Sequence, residues 1–332
     1  MDNLYQTVYQ YHALWILAGF VALFYGAEWL VKGASDIALK FGISPLVVGL
    51  TIVAFGTSAP ELLVCINANM NGSADTALGT VIGSNICNIA LILGVGAMIR
   101  PIVINRQIIR REVPILLVAS LVFVMMLLDK KITQWEGGVL LVGIITYVAA
   151  SLIQSKKESG AEESEDFSAE DIEKARTMSG TAMLMSIAFI LIGLVVLKFG
   201  SDWLVEHGEI LAIDLGVSEA IIGLLLLAFG TSLPELATSI IAARKGQGDI
   251  ITGNAVGSCI FNILAVMGGT AAIQTIVAGE IKWMDMGVML GIIILVMPMM
   301  WSRKRLSRLE GIILLGMYLT YTITTFYVDQ VT

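Results

Sequence analysis

The chain alternates long apolar runs with short polar punctuation, and the runs are of similar size. They fall at about 12–34, 44–70, 76–99, 112–129, 135–154, 181–203, 217–243, 250–273, 284–301 and 309–328. Each reaches the roughly 18 or more residues that a helix needs to cross a hydrocarbon layer. Continuous stretches such as "LVVGLTIVAFG" (46–56) lack the period-two alternation of a membrane barrel strand. The pattern predicts an all-α membrane protein with ten transmembrane helices. The second and seventh helices carry the same interruption, "AFGTSAPE" at 54–61 and "AFGTSLPE" at 228–235.

Composition agrees with a membrane protein: of 332 residues 57% are hydrophobic and 14% charged, with a mean hydropathy of +0.85. Only Asp2 and His12 precede the first run as polar landmarks, with no basic residue, so a signal-peptide n-region is missing and the run is expected to remain a span. Cys65, Cys87 and Cys259 fall inside predicted spans without metal-ligand spacing and read as buried small residues. Sixteen of the 20 basic residues, from Lys32 and Lys40 to Arg305 and Arg308, fall in one set of loops; Lys130, Lys131 and Lys282 fall in the other, and Lys198 lies within a span. The positive-inside rule then puts both termini outside and the segment 155–178 in the cytoplasm, in a cell (inner or plasma) membrane. That segment carries eight acids and reads as a solvated linker, with a short helix at 169–176 capped by Ser168.

A shift of 174 residues superposes the chain on itself. "YGAEWLV" (25–31) meets "FGSDWLV" (199–205), "LGTVIGSNICNI" (78–89) meets "TGNAVGSCIFNI" (252–263), and Glu136-Gly137 meets Glu310-Gly311. Residues 1–154 and 179–332 are thus two homologous halves. Five spans each force the halves to enter the membrane from opposite sides, so the repeats are inverted. Lys32 aligns with Glu206 and Lys40 with Asp214, the change of sign that opposite sides require.

Pro60 and Pro234 lack an amide hydrogen and open the turns that hold Gly56-Thr57 and Gly230-Thr231, freeing carbonyls at membrane depth. Glu61 and Glu235 follow directly. A carboxylate near the bilayer centre costs about 2.5–3.5 kcal/mol on insertion scales, so the pair represents about 5 kcal/mol or more that something must offset. No Lys or Arg lies at comparable depth in the core helices, which makes a bound cation the natural counter-charge. The bland alternative, an ordinary kink beside a protonated acid, fits one motif better than a symmetric pair. Inverted symmetry brings both breaks to the midplane, and an all-oxygen, doubly negative shell suits a hard divalent ion such as Ca²⁺. Softer ligands are missing, since His12 and His207 lie near the aqueous ends. Ser84 with Asn88 and Ser258 with Asn262 share helix faces at four-residue spacing, as flanking oxygen donors or interhelical hydrogen-bonding groups. Glu28 and Asp202, beside Trp29 and Trp203, read as interfacial anchors.

At these residues the sequence resembles the sodium/calcium exchanger family of the cation/calcium antiporters, in its compact prokaryotic form, over nearly the whole chain. The doubled G-T-S-x-P-E followed by G-S-x-x-x-N carries the resemblance. It implies a ten-helix inverted-repeat fold in which Glu61 and Glu235 bind Ca²⁺ with the carbonyls of Thr57 and Thr231. Ala54, Ser58, Ser84, Ala228, Ser232 and Ser258 would line sodium sites, and Asn88 would sit near the centre. Asn262 stands where some members have aspartate, which leaves the site two acids and its stoichiometry open.

The expected function is secondary antiport of Na⁺ against Ca²⁺ by alternating access, in the direction of Ca²⁺ extrusion. Proton/calcium exchange is the alternative, since protons also neutralise glutamates, and a cation channel is a reading of a different class. No span offers a Ser beside a buried His or a pair of catalytic aspartates, so an enzyme is not expected. Beyond Ca²⁺, Na⁺ and lipid the chain calls for no cofactor, nucleic acid or obligate protein partner, and a monomer suffices.

Overall fold

In a computed structural model the described residues are 2–158, 177–214, 230–279 and 283–331. The apolar runs form helices: α1 (Asp2–Phe41), the bent pair α2 (Pro45–Thr57) and α3 (Ala59–Met70), α4 (Ala74–Ile99), α5 (Ile108–Asp129) and α6 (Gln134–Glu158). After the acidic segment come α7 (Gly180–Asp214), α8 (Leu233–Lys245), α9 (Gly248–Ile273), α10 (Trp283–Arg303) and α11 (Arg308–Val331). Among these residues seven helices are long and apolar enough to cross a membrane, and the bent α2–α3 pair makes an eighth. The 24-residue α11 is also long enough to cross a hydrocarbon layer. The first part of the expected seventh span, residues 215–229 with Ala228, and most of the acidic linker, including its expected 169–176 helix, lie outside the described residues.

Two small antiparallel clasps hold the helix ends. Strand β1 (Ile102–Val103) pairs with β4 (Arg305–Leu306), and β2 (Lys131–Ile132) pairs with β3 (Ile276–Val277). The 174-residue offset carries β1 onto β3 and β2 onto β4, so it exchanges one clasp for the other. The registers follow: Ile102 opposite Leu306 becomes Ile276 opposite Ile132. The strands β1 and β2 flank the two ends of α5. At the next element the offset holds again. Thr133 N–H and Oγ1 donate to Glu136 at 2.8 and 2.7 Å, and Ser307 N–H and Oγ to Glu310 at 2.7 and 2.6 Å, closing capping boxes on α6 and α11.

Glycine sets how closely the helices approach. Gly19, Gly26 and Gly33 on α1 face Gly200, Gly193 and Ser186 on α7, an antiparallel seam of backbone against backbone. At the end of the seam nearer the N-terminus His12 and His207, expected near the aqueous ends, are buried against each other with Nδ1 atoms 2.9 Å apart, and Trp15 stacks on His207. Asp202 pairs with Lys198 one turn away, while Glu28 reaches Lys245 at the end of α8, at 2.7 Å, so both expected anchors are engaged in ion pairs. Behind the seam, α2 crosses α9 where Gly49 meets Gly253 and Leu50 meets Gly257. Gly79 and Gly83, the counterparts of Gly253 and Gly257, meet nothing among the described residues; the stretch matching α2 in the second half is 219–231, of which 219–229 lie outside the described residues. All three cysteines are buried and unbridged, as the sequence implies.

A side chain at Gly193 would meet the carbonyl oxygen of Gly26 and the amide nitrogen of Leu30, both at 2.8 Å and both backbone. Gly193→Leu is therefore expected to destabilise the protein by about 1–3 kcal/mol, read as a lower melting temperature in detergent, whereas Gly287→Leu, into open space, leaves it unchanged.

Candidate functional site

The backbone breaks beside each acid. The first helix of the bent pair carries a π-helical turn at Gly49–Val53 and stops at Thr57; Ser58 (φ −86°, ψ 0°) turns the chain, and α3 departs at 41°. Ser232 (φ −90°, ψ 4°) repeats that turn ahead of α8. Pro60 and Pro234 sit at the start of the new helices, where a missing N–H does no harm to the helix that follows but leaves the preceding one a carbonyl short of a donor. The two carbonyls have different fates. Ser201 of α7 donates its hydroxyl to the carbonyl of Gly230 at 2.7 Å. Position 27, its equivalent on α1, is Ala and offers Gly56 nothing. The expectation that Gly230 presents a free carbonyl is thereby corrected, for the reason that a hydroxyl on the neighbouring helix satisfies it.

Glu61 and Glu235 occupy the first turns of α3 and α8, where the helix dipole favours negative charge, and both are fully buried. Their charges are near enough to interact, and Lys198 of α7 acts more weakly on Glu61. Hydroxyls and amides from the two halves knit the space around them. Ser58 Oγ donates to Glu235 Oε1 at 3.5 Å, and the hydroxyls of Ser84 and Ser232 are 3.2 Å apart. Ser84 Oγ also accepts from Asn262 Nδ2 at 3.1 Å and from Asn88 Nδ2 at 3.5 Å. Asn88 lies within a π-helical turn, Cys87–Ile92, and Asn262 begins another, Asn262–Met267. Such turns reorient side chains in the middle of a helix, and no sequence period announces them.

Of the candidate residues, Ser58, Ser84, Asn88, Ser232, Glu235 and Asn262 are thus joined by direct contacts. Glu61, Ala54 and Ser258 are fully buried, Thr231 is half-buried in its turn, and Ala228 lies outside the described residues. Thr57 donates its hydroxyl hydrogen back to the carbonyl of Val53 at 3.1 Å. Sequence reasoning missed Asn254 and Asn85. Asn254 accepts from Thr57 at 3.4 Å and donates to the backbone carbonyl of Glu235 and to Ser239, both at 3.2 Å. One more four-residue step back along the ladder Ser258, Asn262 would have found it. Asn85 has no such signal, because its counterpart at the offset is Cys259.

A third buried glutamate tells a structural acid from a binding one. Glu112 is fully buried on α5, but Gln107 Nε2 and Tyr147 Oη each donate to it at 2.8 Å and Arg111 lies 3.9 Å away. Both oxygens of Glu61 and Oε2 of Glu235 have no hydrogen-bond partner among the described residues, nor do Asn88 Oδ1, Asn262 Oδ1 and Ser258 Oγ. Neither Glu61 nor Glu235 forms a salt bridge there. Buried polar atoms are ordinarily satisfied, and these six orphaned oxygens, drawn from both halves, are the kind of donor that a hard cation takes.

The fold defines a multi-pass helical membrane protein with a buried, acidic cluster of oxygens at two helix breaks, the acids forming no salt bridge among the described residues. The chain belongs to the sodium/calcium exchanger protein family, whose sequence model matches twice, at residues 11–153 and 185–327. Among its relatives, a putative antiporter CaxA of Alkalimonas amylolytica is 36% identical over 93% of this chain and 96% of its own length. The sodium/calcium exchanger MaX1 of Methanosarcina acetivorans is 29% identical over 94% of this chain and 98% of its own. The solved structure of the sodium-calcium exchanger NCX_Mj, soaked with Na⁺ and Sr²⁺, superposes with a TM-score of 0.79 at 28% identity, covering 93% of this chain and 96% of the other. The protein is therefore a membrane antiporter and not an enzyme.

The contrast between the acids is measurable without any ligand. Glu112→Leu strands the donors of Gln107 and Tyr147 and is expected to cost about 1–3 kcal/mol of stability. Glu61→Gln removes one of two mutually repelling charges and is expected to leave the ion-free melting temperature equal or higher.

Proposed function

We propose that this chain exchanges Na⁺ for Ca²⁺ by alternating access and extrudes Ca²⁺ with Na⁺ entering down its gradient. The observation that carries the reading is the pair Glu61 and Glu235, one from each half, buried with oxygens that nothing in the described protein satisfies. Two carboxylates, the Thr57 and Thr231 carbonyls and neutral side-chain oxygens make the flexible all-oxygen shell that Ca²⁺ prefers. Ala54, Ser58, Ser84, Ala228, Ser232 and Ser258 flank it as sodium positions, with Asn88 and Asn262 between. MaX1 and NCX_Mj, both called sodium/calcium exchangers, support sodium as the co-ion.

The architecture that serves this function is ten spans in two inverted repeats, 1–154 and 179–332, around a cytoplasmic linker at 155–178, with both termini outside. The exchange of the two strand clasps under the 174-residue offset supports it. Clasps at opposite ends of the membrane-length α5 change places only under a two-fold axis lying in the membrane plane. A site completed within one chain needs no second copy, so the transporter works as a monomer in lipid.

Charge sets the transport rule. An empty site carries about two negative charges and resists crossing the low-dielectric barrier, one Ca²⁺ cancels them, and several Na⁺ do the same from flanking positions. With Asn262 neutral, the carboxylates alone fix that balance.

In proteoliposomes an imposed Na⁺ gradient is expected to drive ⁴⁵Ca²⁺ movement, and K⁺ or H⁺ gradients tested one at a time are not. If only the pH gradient drives it, the co-ion is the proton and the sodium assignment is wrong. Glu61→Gln and Glu235→Gln are each expected to lower Ca²⁺ transport by roughly 100-fold or more, since each removes a buried counter-charge. Retained transport in both would remove the site.

A further inference from the structure

The two halves match at their acids and at the Ser84/Ser258 and Asn88/Asn262 positions, and differ at the residue after each serine, Asn85 against Cys259. Asn85 is buried inside α4, and both ends of its amide are committed. Its Nδ2 donates to the thioether sulfur of Met289 on α10 at 3.7 Å, and its Oδ1 accepts from Asn262 Nδ2 at 3.1 Å. Asn262 Nδ2 makes its other bond to Ser84 Oγ, also at 3.1 Å. An amide nitrogen has two hydrogens, so the donor end of Asn262 is spent, and Oδ1 is its unpartnered end.

The orientation follows from the hydrogen-bonding network. A thioether accepts hydrogen bonds and cannot donate them, so Met289 must face the NH₂ end of Asn85. That turns the oxygen of Asn85 toward Asn262, which must answer with its own NH₂ and so directs its oxygen away. Among the described residues Asn88 has no such relay, only a single bond of 3.5 Å to Ser84. Cys259, in the place of a second asparagine, donates instead to the backbone carbonyl of Asn85 at 3.6 Å and ties α9 to α4 at this level.

We infer that Asn85 is a positioning residue for transport: held by Met289, it locks the carboxamide of Asn262 with its oxygen, not its N–H, toward the transported cations. The inference rests on the reading of Glu61 and Glu235 as the cation site. It gives the neutral Asn262 a defined ligand role, because a flipped amide would set partial positive charge against Na⁺ or Ca²⁺ and oxygen against oxygen at Asn85.

The test is a cycle of Asn85→Leu, Asn262→Leu and the double variant, each first confirmed folded by its elution and melting in detergent. In ⁴⁵Ca²⁺ flux, Asn85→Leu is expected to raise the half-saturating Na⁺ and Ca²⁺ concentrations roughly 10-fold with little change in maximal rate. In the Asn262→Leu background the same change is expected to add nothing. Met289→Leu, which removes the sulfur acceptor, is expected to shift the same constants in the same direction by less. Unaltered half-saturation in Asn85→Leu, or an equal effect with and without the Asn262 amide, would overturn the positioning role. The stabilisation of melting by CaCl₂ in detergent reads the same cycle without transport. If Glu61→Gln keeps that stabilisation, the cation-site reading itself fails; if Glu61→Gln loses it and Asn85→Leu keeps it unchanged, only the role of Asn85 fails.

Discussion

Two carboxylates at membrane depth, with three of their four oxygens left without a hydrogen-bond partner among the described residues, set the terms for the rest of the structure. Their insertion costs about 5 kcal/mol or more on translocon scales, and burial together adds their mutual repulsion. Three local devices reduce that cost before any ion arrives. Both acids sit in the first turn of a helix, both follow a break in the backbone, and Ser58 of the first half donates its hydroxyl to Glu235 of the second. None of these supplies a full counter-charge, so the site stays in electrostatic deficit.

A site of this kind requires a frame that does not collapse onto it. Backbone-to-backbone glycine contacts bring α1 against α7 and α2 against α9, and they exclude side chains that would otherwise act as spacers. Capping boxes start α6 and α11, and the two clasps fasten helix ends on both sides of the bundle. Glu112 shows what the same fold does with an acid meant to stay inert: it surrounds the carboxylate with Gln107, Tyr147 and Arg111. Burial alone therefore does not mark function. Within the site the amides are less symmetric than the acids, because Met289 and Asn85 orient Asn262 while Asn88 lacks such support.

Much of this was legible in the linear pattern. Spanning helices followed from run length, since a bilayer admits few other ways to satisfy a backbone, and the bend at Ser58 followed from Pro60. Glu61, Glu235 and the four-residue pairs on α4 and α9 stood out because polar atoms in apolar runs need a reason. The π-helical turns at Cys87–Ile92 and Asn262–Met267 did not, since a one-residue change of helical phase leaves no mark in composition. Nor did the capture of the Gly230 carbonyl by Ser201 or the burial of the His12–His207 pair, each of which needs two helices far apart in sequence to meet.

By itself the sequence determined the class of protein, the placement of its breaks and the identity of its two acids. Those depend on local physics: hydrophobic length, a proline without an amide hydrogen, and charge where charge is expensive. Only the tertiary structure decided which buried polar atoms are satisfied and which are left over. Satisfaction belongs to neighbours in space, and Glu112 and Glu61 look alike until the residues packed around each are known.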